Sequence, residues 1–174
     1  MPQSPTILSC LLCVTLLFAA CKKDENSGQT NLTIKMTDNP YNATEVNVDI
    51  EQVRVKFSDD NDDDNGWMNL DTHAGIYDLL KLQNGIDTVL AFGPVPSGRI
   101  REFRFVLGND NSIMIDNTLY PLTIPSGSSS GLKIKLDKQL HTGSDSLLID
   151  FDAALSILQT GTGEYKLKPV LKIK

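Results

Sequence analysis

The 174-residue chain has little cysteine and histidine, and none of its runs of basic residues is longer than two. Its three cysteines all lie within the first 21 positions, so the remainder holds no disulfide, and two histidines are too few for a His/Cys zinc site. Acidic residues outnumber basic ones by 22 to 16, and no basic cluster follows Lys22-Lys23, which disfavours nucleic-acid binding. A hydrophobic share of 40% and a charged share of 22% exclude collagen, coiled coil and outright disorder.

An apolar run from Ile7 to Ala20 precedes Cys21. The run is short for a membrane span but has the length of a signal-peptide core, and its end, Leu17 to Cys21, resembles a bacterial lipobox. We predict cleavage after Ala20 and acylation of Cys21, with palmitate-type chains anchoring the protein to a membrane. The expected units are a signal peptide (1–20), a flexible lipidated tether (21–30) and a single domain (31–174). Because the first six residues lack Lys and Arg, a secreted chain or a buried N-terminal helix stays the alternative.

The polar stretch after Cys21 lacks any hydrophobic period and is typical of a tether. Its Lys followed by Asp24-Glu25 resembles the export tag of surface lipoproteins in Bacteroidota. We therefore expect an outer-membrane protein that faces the cell surface, with a periplasm-facing anchor as the alternative.

From Leu32 onward apolar residues alternate with polar ones, which indicates strands. The phase of alternation changes at Glu51-Gln52, which predicts a β-bulge or a bend. The closing strand Tyr165 to Ile173 carries lysines and Pro169, which is typical of a strand at or near a sheet edge. Short helical turns fit only 77–82 and 153–158. The pattern predicts an all-β fold, an antiparallel β-sandwich of the immunoglobulin-like kind.

Several short motifs follow one another in an order that resembles the domain of unknown function 4382 family of bacterial envelope lipoproteins. They include Thr37-Asp38-Asn39-Pro40, Gly66-Trp67, Asp78 to Gly85, Val95 to Gly98, Pro125-Ser126-Gly127, Ile149 to Asp152 and Tyr165 to Val170. The similarity covers about 31–173, with Arg99-Ile100 where the family usually has an aromatic residue. It implies a β-sandwich related to transthyretin-like modules and supplies no catalytic residues.

The acidic run Asp59 to Asp64, followed by Asn65-Gly66, has oxygen ligands suited to calcium. In an EF-hand frame the bidentate Glu is replaced by Thr72 and no helices flank the loop. A solvated hairpin tip whose like charges prevent aggregation is the favoured interpretation, and we predict neither a metal nor a cofactor.

Two patterns could support catalysis. Gly127 to Gly131 formally matches the G-x-S-x-G nucleophile elbow, with Asp137 and His141 downstream, but a strand follows it where a helix is needed. Asp150 and Asp152 could form an acid/base pair, or Asp152 could cap a turn that begins at Ala153. Because nothing assembles a nucleophile, a base and an oxyanion site, we predict no enzymatic activity.

Trp67, Asn69 and Asp71 alternate with Met68 and Leu70 and are the predicted ligand site. An aromatic plane beside amide and carboxylate groups suits a sugar, whereas a lone Trp more often packs in a core or interface. Two functions remain open. One is a non-catalytic binding or adhesion module for a glycan or protein, and the other is a structural or accessory subunit that pairs with an envelope partner.

Overall fold

Strands dominate the part of the chain that the computed structural model describes, which is residues 28–38, 41–58, 65–125 and 132–174. The strands are β1 Gln29–Thr37, β2 Glu45–Lys56, β3 Trp67–Asn69, β4 Asp71–Thr72, β5 Gly75–Asp78, β6 Thr88–Pro96, β7 Arg99–Leu107, β8 Ser112–Ile115, β9 Thr118–Thr123, β10 Leu132–Gln139, β11 Gly143–Phe151, β12 Ile157–Gln159, β13 Tyr165–Leu167 and β14 Leu171–Ile173. Two short turns, a 3₁₀ turn Leu79–Leu82 and helix α1 Ala153–Ser156, lie inside the predicted helical segments.

Two sheets pack face to face, which confirms the all-β sandwich. The first sheet has the order β14-β11-β1-β6-β4, and the second has the order β10-β7-β2-β8-β9-β13-β12, with β3 and β5 also paired to β2. The sheets are mixed, not purely antiparallel as expected. In the first sheet β1 runs parallel to β11, and in the second β13 runs parallel to β9. A parallel pair needs a long connection, and Thr30 pairs with Gly143 across most of the chain.

The inward-facing side chains form one hydrophobic cluster between the sheets. In β1 the buried residues Leu32, Ile34 and Met36 alternate with more exposed neighbours, as the sequence pattern predicts. From the second sheet, Phe103 and Phe105 add an edge-to-face aromatic pair with ring centroids 4.7 Å apart. Burial of these apolar side chains is the main stabilising term, since this cluster contains no disulfide.

Strand β2 contains the predicted bulge. Its register against β7 shifts between Ile50 and Gln52, at the position where the hydrophobic phase changes. The extra residue lets Ile50 on one side and Val53 on the other both face the core. The strand also changes neighbours here, from β8 and β5 to β7 and β3.

The predicted closing strand Tyr165 to Ile173 is two strands, and that prediction is wrong in this respect. β14 is an edge strand of the first sheet, and β13 lies next to the last strand of the second, so each half lies at or near an edge, as predicted, but of different sheets. Pro169 lies between them and cannot donate a ladder hydrogen bond. Ser156 bonds to the flanking backbone, accepting from Lys168 N through its carbonyl (2.7 Å) and from Val170 N through its hydroxyl (2.8 Å).

Strand β1 begins at Gln29 and includes the last two residues of the predicted tether, of which Thr30 is fully buried. The predicted signal peptide, Ala20, Cys21, the acidic run Asp59 to Asp64 and the serine loop Gly127 to Gly131 lie outside the described residues. Within the described ranges, no helix has the length and apolarity needed to cross a bilayer.

Candidate functional site

The structure places Trp67 and Asn69 together but separates them from Asp71. Trp67 and Asn69 lie in β3, where they pair with Lys56 and Arg54 of β2 in the second sheet. Asp71 lies in β4, which pairs with β6 in the first sheet. The predicted trio therefore belongs to two different surfaces of the sandwich.

The buried side chain of Leu70 marks the crossing between the two sheets. The backbone N–H of Leu70 donates to Val53 O (3.0 Å), and the Thr72 hydroxyl accepts from Val53 N (3.0 Å). These bonds fix the chain on both sides of Leu70, whose side chain is only 6% exposed. An alternation rule applied across residues 67–71 could not detect this change of sheet.

Trp67 is half-buried and packs against cations. The Arg104 guanidinium carbon lies 4.2 Å from the indole centroid, and Lys56 Nζ lies 5.9 Å from it, so both are within cation–π distance. Gly66 permits this approach, because it has φ +77° and a Cβ there would lie 3.2 Å from Lys56 Cε. One contribution of Trp67 is therefore packing, as the alternative to the sugar-site interpretation expects.

Asp71 lines a groove of about 560 Å³ on the outer side of the first sheet. Strand registers place it beside Phe92 of β6, which in turn lies beside Thr33 of β1. Phe92 is 45% exposed, a large fraction for an aromatic side chain, and Asn31 lines the same groove. The groove combines an accessible ring with carboxylate, hydroxyl and amide groups.

His73 supports one side of the Phe92 ring. Its imidazole meets the phenyl ring edge-on, with centroids 5.6 Å apart, and its backbone N–H donates to Leu90 O at 2.8 Å. The Tyr77 hydroxyl donates to the His73 carbonyl, and burial raises the pKa of that phenol. The Phe92 ring is thus contacted by His73, whose backbone is fixed by Leu90 and Tyr77.

Phe92 is not among the residues that the sequence predicts as a ligand site. Phe92 follows the buried Ala91 in β6, so alternation along the strand places its ring on the outer face. Only the pairing of β4 with β6 places a carboxylate beside it.

Asp150 and Asp152, which the sequence offered as an acid/base pair, are engaged in ion pairs and a helix cap. Asp152 accepts from Leu155 N (3.1 Å), which confirms the predicted cap, and it pairs with Lys172 Nζ at 2.7 Å. This hydrogen bond raises the pKa of Lys172. Asp150 pairs with Lys174 Nζ at 3.0 Å. These contacts give both aspartates structural roles.

Asp137 lies in a surface ion pair and not beside a histidine. Both of its carboxylate oxygens accept from Arg99 at 2.8 Å, and Arg101 lies 3.0 Å away. The hydrogen bond from Arg99, together with the charges of both guanidinium groups, lowers the pKa of Asp137. Among the residues with described positions, no three His, Cys, Asp or Glu side chains are grouped so that they could hold a metal ion.

A buried aspartate ties three distant segments together at one end of the first sheet. Asp38 is 3% exposed, and its Oδ1 accepts from Ala153 N at 2.8 Å. Its backbone N–H donates to Leu82 O at 3.0 Å. Thr37 adds hydroxyl bonds of 2.8 Å to the carbonyls of Leu82 and Ile86.

A family model described as a domain of unknown function (DUF4382) matches residues 29–169 of the chain. The chain belongs to the DUF4382 family. No curated protein and no solved structure matches it.

The contacts around Thr37 and Asp38, which we call the Asp38 junction, involve segments on which the resemblance to DUF4382 rests. Three of the segments on which the resemblance rests, Thr37-Asp38, Asp78 to Gly85 and Ile149 to Asp152, meet there or end next to it. In the described chain their polar groups bond to one another's backbone. These three segments therefore have a folding role in this protein.

Proposed function

We propose that this protein is a non-catalytic binding module, anchored by lipid at Cys21 to the outer membrane and facing the cell surface. The anchor is supported by the Ile7 to Ala20 run with its lipobox-like end, and the orientation by the acidic residues after Lys22-Lys23. Cys21→Ser expressed in a bacterial host should lose labelling by an alkyne fatty acid and retain the uncleaved mass. Protease added to intact cells should digest the wild-type domain. Labelling of the variant, or protection of the domain from protease, would contradict the anchor or the orientation respectively.

The observation that carries the binding role is the Phe92 groove. A 45% exposed ring flanked in register by Asp71 and Thr33 is unusual on a sheet face, because exposed aromatic area gains nothing in an isolated domain. A sugar ring can place its C–H face on Phe92 while its hydroxyls bond to Asp71 and Asn31. We propose a glycan as the ligand of this groove.

Phe92→Ala tests this role directly. The full chain, purified in a mild non-ionic detergent, is melted with and without each member of a panel of envelope and host glycans. A ligand at one hundred times its Kd adds about 2.7 kcal/mol, or roughly 5–10 °C for a domain of this size. Phe92→Ala should retain the unliganded melting temperature within a few degrees and lose the ligand shift.

Leu119→Ala is the matched control, because Leu119 is 59% exposed on β9, outside the groove. It should keep the full ligand shift. An unchanged shift in Phe92→Ala would remove the groove from the binding role, and a panel without any shift would remove the glycan.

An accessory subunit is the second candidate, favoured by the end of the second sheet. Strand β12 is the last strand in its order and carries no charged residue, while Leu158 on it and Leu155 just before it are about half exposed. Such an edge can pair with another strand. Co-purification from gently solubilised membranes should recover a partner, and Leu158→Lys should release it. Recovery only as a lone monomer would contradict this role.

A further inference from the structure

The Phe92 groove is part of a wider surface, because the outward-facing residues of the first sheet form rows that cross its strands. One row joins four strands in register, and its members are Asp71 of β4, Phe92 of β6, Thr33 of β1 and Ser146 of β11. The neighbouring row is built in the same way from Pro94, Asn31 and Ser144. We call the residues of these two rows the outer platform.

Alternation with the core places the outer platform on the solvent side of the sheet. Leu32 and Ile34 of β1 are fully buried, and Leu147 of β11 is 2% exposed. The residues next to them in each strand therefore point away from the core. Asn31 and Ser146 are exposed, as this direction requires.

The row through Phe92 is open at both ends. At one end β4 is an edge strand of the first sheet. At the other end β14 pairs with β11 only over residues 149–151, so no described strand of this sheet lies beyond Ser146. A chain that lies along the row can therefore leave the sheet at either edge.

The platform offers polar groups on short side chains beside one aromatic ring. Within the described residues, the side chains of Asp71, Thr33 and Ser146 make no hydrogen bond or ion pair with the protein, so their oxygens are available to a ligand. Because Thr33 and Ser146 are small, they do not cover the Phe92 ring. A flat ring next to hydroxyl groups suits a sugar, whose C–H face is apolar and whose hydroxyls form hydrogen bonds.

The charges on this surface disfavour an anionic ligand. Asp71 is the only charged residue in the two rows. The next outward residue of β1, Lys35, is paired with Asp87 at 3.1 Å. A carboxylate or sulfate on the ligand would therefore meet a like charge at Asp71 without a matching cation in either row.

We propose that the outer platform binds the interior of a linear, uncharged glycan that lies across the strands. This inference rests on the proposed glycan-binding role of the Phe92 groove and specifies its ligand. Adjacent strands lie roughly 4.8 Å apart, so the row from β4 to β11 spans roughly 14 Å, about the length of three sugars. One sugar stacks on Phe92, and its neighbours lie over Asp71 and Ser146. Because both ends of the row are open, binding does not need a chain end.

The test is the dependence of affinity on chain length. The full chain, in a polyoxyethylene detergent that carries no sugar, is titrated by calorimetry with linear cello-, manno- and laminari-oligosaccharides, from monosaccharide to hexasaccharide. We expect one series to bind with an affinity that rises about fivefold with each sugar up to the trisaccharide and then levels off. Methyl caps on both ends of the hexasaccharide should change its affinity by less than twofold.

Variants at the two ends of the row test the position and the charge of the ligand. Ser146→Ala should weaken the trisaccharide by about fivefold and the disaccharide by less than twofold, because only the longer chain reaches β11. The matched control Thr118→Ala removes an exposed hydroxyl from β9 of the second sheet and should change neither affinity. Asp71→Asn removes the negative charge and should strengthen the binding of trigalacturonate, which the wild-type protein binds weakly.

The outcomes separate this inference from the proposed function. If Phe92→Ala abolishes binding but monosaccharide and hexasaccharide bind equally well to the wild type, the groove keeps its glycan and the extended platform is overturned. If no oligosaccharide binds, the glycan role and this inference are both overturned. Trigalacturonate that binds as tightly as the uncharged trisaccharide would overturn the choice of an uncharged ligand.

Discussion

Removing the Asp38 carboxylate should be among the most costly single changes at the end of the first sheet. In Asp38→Ala the Ala153 N–H, which accompanies a fully buried side chain, loses its 2.8 Å acceptor. A buried donor without a partner costs about 1–3 kcal/mol, and bonds to a charged acceptor lie at the upper end of that range. The weaker bond from Gln83 Nε2, at 3.4 Å, is lost as well. We expect a loss of about 2.5 kcal/mol.

The measurement is urea unfolding of the full chain, followed by Trp67 emission. With a slope of about 2 kcal/mol/M, the midpoint should fall by roughly 1 M while the slope stays unchanged. Asp38→Asn keeps an oxygen that can accept from Ala153 and should lose only about 1 kcal/mol.

Asp87→Ala is the control for a lost carboxylate. It removes a surface pair, Lys35 to Asp87 at 3.1 Å, and should cost less than about 1 kcal/mol. If the free energy of unfolding of Asp38→Ala lies within about 0.5 kcal/mol of the wild-type value, the Asp38 junction does not stabilise the fold. The folding role given to these segments is then refuted.

Two further predictions concern a turn and a surface ion pair. Gly66→Ala should cost about 1–2 kcal/mol in urea unfolding, because φ is +77° and the added Cβ would lie 3.2 Å from Lys56 Cε. Gly161→Ala, where nothing lies within 4 Å of that Cβ, should be neutral, and equal losses would contradict the argument. The hydrogen bond from Arg99 holds the pKa of Asp137 below its ordinary value of 3.8. The ionised Asp137 carboxylate therefore stabilises the fold fully above pH 3.8, and this contribution is lost as the pH falls through the lowered pKa. Asp137→Asn should make the free energy of unfolding less dependent on pH below pH 4. An unchanged pH profile would count against the Arg99–Asp137 ion pair.

Local sequence pattern predicted the fold class well because burial acts on each strand separately. Leu32, Ile34 and Met36 need a core on one side wherever their strand lies. The change of phase at Glu51-Gln52 needs a bulge or a bend to keep the apolar side chains inward, and the structure has the bulge. The division at Pro169 shows the limit of this rule. Alternation continues on both sides of the proline, and only the strand pairing shows that the two halves belong to different sheets.

The candidate sites depend on strand pairing, which local pattern does not contain. Polar and apolar residues alternate without interruption over 67–71, yet the chain passes from the second sheet to the first at Leu70. Asp71 therefore lies beside Phe92 and not beside Trp67. In the same way, Phe92, Thr33 and Ser146 are distant in sequence and form no recognisable row until β6, β1 and β11 are placed in register. In a β-sandwich, ligand chemistry is therefore better sought along the rows that cross the strands than along the strands themselves.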